Sequence, residues 1–442
     1  MLPIKRESYF YDVYPRVVLA EAESTVVIRP IDSHAAFCTD VPYTIRVIPL
    51  TADIYTKTKP DIFETVVFSK NGRLTFCCVF SGEQEHAIRV FAGTDGKMVF
   101  QTSVYSVCED LYARTPLLGD FHVHTCYSDG VESPEFVAAM YRQAGFDFIP
   151  ITDHGRMDAS RRAISFYREI PLDFKIYTGE EVHSPHNHVH IVHFGGDFSV
   201  NEECLTEISK NPWEDPGKEI WNRETEALSR TFSDLPEGVD PFVHASCLRV
   251  IERIHKANGM AILCHPFWIA DVHNVTDAMT RLYLENHYAD AFELIGGQTN
   301  HENMLQIAFY QQLLSEGCRI PVVGNSDSHG TADRVYFNGM KTIVFAKDNN
   351  RDDIIEAVRH EYSVAMDEYP GQEPRIYGSF RMVRYALFLY EHYFPLHAEL
   401  CFEEGRLMRA LIASDPEAEK RLAACYGQSK RFAGHFFGWE TI

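Results

Sequence analysis

Short runs of alternating apolar and polar residues fill the first 115 positions. STVVIRP (24–30), YTIRVIPL (43–50), FETVVFS (63–69), RLTFCCVF (73–80), HAIRVFA (86–92) and MVFQTSVYSV (98–107) are rich in β-branched and aromatic residues. Turn-forming KNG, SGE and GTDG separate several of them, a spacing that predicts an antiparallel β-sandwich-like domain over 1–115. From about Leu117 the period changes. Apolar strands DFHVH (120–124), DFIPIT (147–152), DFKIYTGE (173–180), MAILCHP (260–266), AFELI (291–295), IPVVGNSD (320–327) and KTIVFA (341–346) alternate with amphipathic helices. In SPEFVAAMYRQAG (133–145), Ser133 can cap and Pro134 takes the first helical position. LRVIERIHKANG (248–259) predicts a helix closed by Gly259. The alternation predicts an α/β domain over 116–365 with parallel strands, and the strand count suits a barrel of about seven or eight. An irregular, acidic, proline-containing insertion interrupts it at about 197–243, and an aromatic helical extension, including FRMVRYALFLYEHYF, follows over 366–442.

Composition narrows the function classes. With 45% hydrophobic residues the chain is globular, yet no apolar run approaches the roughly 18 residues of a membrane span, and no charged-then-apolar leader stands at Met1. Eleven cysteines, an odd number without CxxC pairs, predict reduced thiols in a cytoplasmic protein. The 41 basic and 63 acidic side chains sum to −22, which works against nonspecific nucleic-acid binding. A bound metal can invert the local field, so small anionic substrates stay open.

The candidate chemistry sits at strand ends, where the loops of a βα barrel build an active site. His122 and His124 end the first strand with Asp129 in the following loop; Thr152, Asp153 and His154 end the second. Glu180 and Glu181 end the third, His265 follows MAILC, and Asn325, Asp327 and His329 follow IPVVG. His122 and His124 flank Val123, so period-2 alternation puts both imidazoles on one face, about 7 Å apart at the backbone and close enough to share a cation. Asp327 and His329 repeat that spacing in SDSH. In ITDHG, Thr152 or Asp153 could cap the next helix, a reading that accounts for Asp153 but poorly for His154. Cys264 reads as a small buried residue, with no thiolate-activating partner beside it in sequence.

GEEVHSPHNHVHIVHFGG (179–196) carries five histidines between His183 and His193. Ser184-Pro185-His186-Asn187 has turn composition. A tight hairpin closed there pairs His183 with His188 and Glu181 with His190, with all four on one face. Glu181 and His190 would then bind one metal together, His183 and His188 would line the rim, and His186 and His193 would stand aside.

Taken together, FHVHTCYSDG (121–130), ITDHG (151–155), TGEEVH (178–183), VHIVHFG (189–195), LCHP (263–266) and GNSDSHG (324–330) resemble the motifs of the PHP (polymerase and histidinol phosphatase) superfamily, in family order over roughly 117–345. The resemblance implies a distorted (β/α)7 barrel and two or three divalent metal ions (Zn, Mn or Fe). It implies a first metal on His122, His124, Glu181 and Asp327, and Glu181 bridging to a second on His190 and His265. A third would be held by Asp129, His154 and His329. Asp327, His329, His154 and Glu181 would carry catalysis.

The expected activity is hydrolysis of a small phosphorylated substrate, a phosphomonoester or nucleotide-type ester, by a metal-activated water. Arg156 after TDHG and Arg334 after SDSHG are candidate phosphate contacts, with His183 and His188 as further substrate or proton-transfer candidates. Two other readings share part of the pattern: an amidohydrolase-like metal-dependent C–N hydrolase, and a non-catalytic metal-binding interaction module. The TDH motif, Asp129 and His329 weigh against the first, and the intact ligand set weighs against the second.

Overall fold

The structure, a computed structural model, describes residues 4–56, 62–93, 96–204, 218–332, 336–369 and 371–439. The chain forms two compact units: Met1–Arg114 with Arg384–Leu400 and Gly427–Ile442, and Thr115–Val383 with Cys401–Tyr426.

In the first unit, strands Tyr11–Tyr14, Glu23–Pro30 and Leu74–Val79 form a three-stranded antiparallel sheet. A five-stranded sheet runs in the order Val17–Leu19, Lys97–Val107, Gln84–Ala92, Pro42–Pro49, Phe63–Phe68. Alternation drives the packing: along Leu74–Val79, Leu74, Phe76 and Cys78 are buried while Thr75, Cys77 and Val79 face outward. Val26 and Ile28 of the small sheet share one core with Ile45, Val47, Ile88, Val90 and Val104 of the large one. The C-terminal segments join this unit through specific contacts. Arg16 N–H donates to the Phe436 carbonyl at 2.7 Å, and Tyr105 packs its ring on Tyr385 and Phe388. The helical tail expected over 366–442 is shared between the two units.

The second unit contains two mixed sheets. One has the order Lys175–Tyr177, Phe148–Pro150, Thr115–Gly119, Met340–Ala346, Ser363–Asp367, Arg375–Tyr377. The other has Gly179–Val182, Ile191–Phe194, Met260–Leu263, Ala291–Ile295, Val322–Gly324. Parallel pairs join Thr115–Gly119 to Phe148–Pro150 to Lys175–Tyr177, and Met260–Leu263 to Ala291–Ile295 to Val322–Gly324. Met340–Ala346 runs antiparallel to Thr115–Gly119 and to Ser363–Asp367, so the all-parallel expectation fails there. The boundary expected at 365 falls inside the strand Ser363–Asp367. Two isolated parallel bridges, His154–Glu181 and Val123–Ser328, link the sheets at the ends where the polar motifs sit.

Helices pack outside these strands, and their ends follow local chemistry. Ser133 caps Pro134–Ala144 by accepting from Phe136 N–H, and Gly145 ends it in the left-handed region. Within 197–243 the described residues are largely helical, Val200–Cys204 and Lys218–Ser229, while 205–217 lie outside the described residues. The helix expected to start near Leu248 begins at Pro241, capped by Asp240, which accepts from Phe242 and Val243 N–H. Asn258, not Gly259, takes the left-handed turn after it. Gly259 is needed for proximity, since a Cβ there would lie 2.4 Å from His193 Nε2. No described helix is long and apolar enough to cross a membrane.

Candidate metal centre

The first strand ends at Gly119, so His122 and His124 lie beyond the sheet rather than within it. Side chains hold this extension in place. Asp120 accepts from the N–H groups of His122 and Ser326, and Thr152 Oγ1 accepts from Val123 N–H. Asp153 takes Thr125 N–H, Thr125 Oγ1, Ser128 N–H and Ser128 Oγ at 2.6–3.1 Å, clamping the loop that carries Asp129. Neither Thr152 nor Asp153 caps a helix: the next one, Asp158–Tyr167, has Met157 at its N-cap.

Glu181 is the hub. Its Oε2 lies 3.4 Å from His122 Nε2 and 3.6 Å from His124 Nε2, and Asp327 Oδ1 is 3.4 Å and 3.0 Å from the same two nitrogens. Its Oε1 lies 2.8 Å from His190 Nδ1 and 3.2 Å from His265 Nε2. A second group, joined to Glu181 through His154 Nδ1 at 2.6 Å from its Oε2, surrounds Asp129. His154 Nε2 and His329 Nε2 are each 3.3 Å from its carboxylate, and His124 Nδ1 is 3.9 Å away. The nine residues expected to bind metals are thus brought together. Two of them, His265 and Asp327, hold positive φ of 29° and 48°, a strained backbone that surrounding contacts must maintain.

His183 joins the interior of the cluster rather than its rim. Its Nε2 is 2.8 Å from His154 Nδ1 and 3.5 Å from Glu181 Oε2, and its ring stacks on His190 with centroids 4.0 Å apart. The reason is register. Glu181 pairs with Val192 and Val182 with Ile191, two residues away from the tight-hairpin pairing, so 183–190 form a wider loop. Glu180 supports this register. Its carboxylate is 3.0 Å from His193 Nδ1 and accepts from Ser199 Oγ and Val200 N–H, all buried. His193 is therefore a packing partner. His188 is exposed and takes no part in the cluster's contacts.

Of the two arginines expected as phosphate contacts, Arg156 is held within its own loop. Arg156 donates from Nε and Nη2 to both Asp158 oxygens at 2.7 and 2.6 Å, and from Nη1 to the Tyr127 carbonyl. Its fork is engaged in holding the loop. Arg334 lies outside the described residues.

One contributor escaped the motif reading. Glu293, fully buried in the apolar strand Ala291–Ile295, places Oε2 3.1 Å from His122 Nδ1 and accepts from Asn325 Nδ2 at 2.8 Å. A carboxylate behind a metal-binding imidazole fixes its tautomer and raises its basicity. An acid inside an apolar run was the available signal. Glu293→Gln should weaken metal binding by roughly 10–100-fold, read by chelator competition, without removing a direct ligand. An unchanged affinity refutes this role.

Electrostatics show what the cluster lacks. Burial disfavours charge on His122, yet Asp327, Glu181 and Glu293 hold its pKa well above the ordinary value. Burial would raise Glu181, but the imidazoles of His190, His154 and His122 hold it well below. His154 is pushed up to about 10, its burial outweighed by Glu181 and Asp129, whereas burial and the charge of His190 push His183 down to about 3. Among the described residues no lysine or arginine pairs with Glu181, Asp327 or Asp129. The cationic partners left for these carboxylates are imidazolium protons, which a divalent ion would replace. His122 Nε2, His124 Nε2 and Glu181 Oε2 are buried without a hydrogen bond of acceptable geometry. Converging, unpaired imidazole and carboxylate atoms fit divalent cations.

The family model for the PHP domain matches residues 120–324. This segment is a PHP domain. The chain is also similar to solved structures. One is a two-domain protein containing a predicted PHP-like metal-dependent phosphoesterase from Bacteroides vulgatus, at 18% identity and TM-score 0.39 over 57% of this chain. This chain spans 65% of that protein's length. Another is an amidohydrolase from Chromobacterium violaceum, at 18% identity and TM-score 0.31, covering 48% of this chain and 87% of the other. No curated protein matches the sequence. The PHP domain match takes in every expected ligand except Asp327 and His329, which lie just past its end.

Proposed function

We propose that the protein is a metal-dependent phosphoesterase that hydrolyses a small phosphorylated substrate, through a distorted (β/α)7 barrel binding two or three divalent ions. The observation that carries this reading is the Glu181 carboxylate, whose two oxygens face different sets of imidazoles. His122, His124, Glu181 and Asp327 would hold one ion, Glu181, His190 and His265 a second, and Asp129, His154 and His329 a third. Such ions neutralise phosphoryl oxygens and make water acidic enough to act near neutral pH.

The chain's own groups do the positioning. Glu293 orients His122, Asp153 fixes the loop of Asp129, and the pairing of His183 with His154 Nδ1 leaves His154 Nε2 toward Asp129. His329, with 40% of its side chain exposed, would be open to a phosphate entering from solvent. The net charge of −22 fits a small-molecule substrate better than nucleic acid. No disulfide joins the ten described cysteines, in keeping with a cytoplasmic location.

A phosphate-release screen with Mn or Zn on nucleotides, sugar phosphates and histidinol phosphate tests the proposal. Release from at least one class is expected. Metal-loaded protein that releases none but cleaves amides or lactams would instead be a C–N hydrolase.

A further inference from the structure

Cys264 precedes His265 at the end of the strand Met260–Leu263 and is fully buried, at the top of the apolar core that includes Val192, Ile262 and Val323. Its Sγ lies 3.8 Å from Glu181 Oε1 and donates to the His190 carbonyl at 3.2 Å. Ligand atoms of Cys264, His265 and His122 all fall within 4.8 Å of one another.

Resting on the metal-centre reading above, we propose that Cys264 Sγ is a ligand of the second ion, beside Glu181 Oε1, His190 and His265. The spacing supports this. With metal–sulfur near 2.3 Å and metal–oxygen and metal–nitrogen near 2.1 Å, tetrahedral edges are about 3.6 Å for S···O and about 3.4 Å for N···O. The observed separations are 3.8 Å for Cys264 Sγ to Glu181 Oε1, and 3.2 Å for His265 Nε2 and 2.8 Å for His190 Nδ1 to the same oxygen. Coordination exchanges the thiol proton for the cation, and that proton leaves to solvent. The resulting donor set of two imidazoles, one carboxylate and one thiolate makes this half of the centre thiophilic, favouring zinc over manganese or magnesium.

The test uses the full-length chain loaded with cobalt(II), with metal content measured alongside the spectrum. An intense near-ultraviolet sulfur-to-cobalt charge-transfer band is expected in the wild type and should be lost in Cys264→Ser. Bound cobalt without that band, or a band that survives Cys264→Ser, overturns the proposal while leaving the metal centre standing. If Cys264→Ser does not fold, X-ray absorption on the unaltered zinc-loaded chain decides. A sulfur neighbour at about 2.3 Å supports the assignment, and a purely nitrogen and oxygen shell refutes it. A chain that binds neither cobalt nor zinc overturns the metal centre itself, and this ligand with it.

Discussion

Glu181→Gln should strip two metal ions from the protein at once. The substitution keeps shape and volume but removes the one charge that both oxygens present, Oε2 to His122 and His124 and Oε1 to His190 and His265. An amide offers only one acceptor oxygen, and its NH2 would face imidazole nitrogens that a cation needs. Elemental analysis of the purified variant should show two fewer ions per chain than the wild type, and phosphate release should fall by orders of magnitude. Replacement of His190 alone should cost one ion, because the first set keeps His122, His124, Glu181 and Asp327. Unchanged metal content in Glu181→Gln would sink the bridging role, whatever happened to activity.

Arg142→Met should be among the most destabilising single changes in the second unit. Arg142 is fully buried; its Nε pairs with the Glu404 carboxylate, and its Nη1 donates to the Phe146 carbonyl at 3.0 Å. Glu404 in turn accepts from Asp173 N–H at 2.8 Å, and Gly405 beside it permits a helix approach in which any Cβ would lie 2.2 Å from Gln143 N. Removing the guanidinium leaves a buried carboxylate without its cation, which costs about 3–5 kcal/mol. For a unit of this size that corresponds to a Tm lower by roughly 6–20 °C. The double variant Arg142→Met/Glu404→Leu should recover most of the loss, since an apolar pair of similar volume often replaces a buried ion pair without penalty. A single-variant Tm within about 2 °C of wild type, measured by calorimetry, would show that the pair is not buried as described.

The site was legible in the sequence to the extent that its chemistry is local. HxH, TDH, SDSH and the cysteine–histidine–proline turn each place candidate ligands by short spacings in the segments that follow the strands, and such spacing survives whatever the rest of the chain does. The same holds for the Ser133 cap and the alternating strands of the first unit. Tertiary contacts decided the rest. Whether Glu181 sits opposite His190 or Val192 depends on where Glu180 finds buried partners, and Ser199 and Val200 lie beyond the hairpin. That choice moved His183 into the cluster and left His188 outside it. Arg156 was a candidate phosphate contact from its place after TDHG, and only the packed loop shows its fork engaged with Asp158. Glu293 meets His122 across 171 residues, a separation that no local pattern encodes. Residue types and short spacings therefore determined which atoms could bind cations. Burial and long-range pairing, which depend on every neighbour at once, decided which of them face one another.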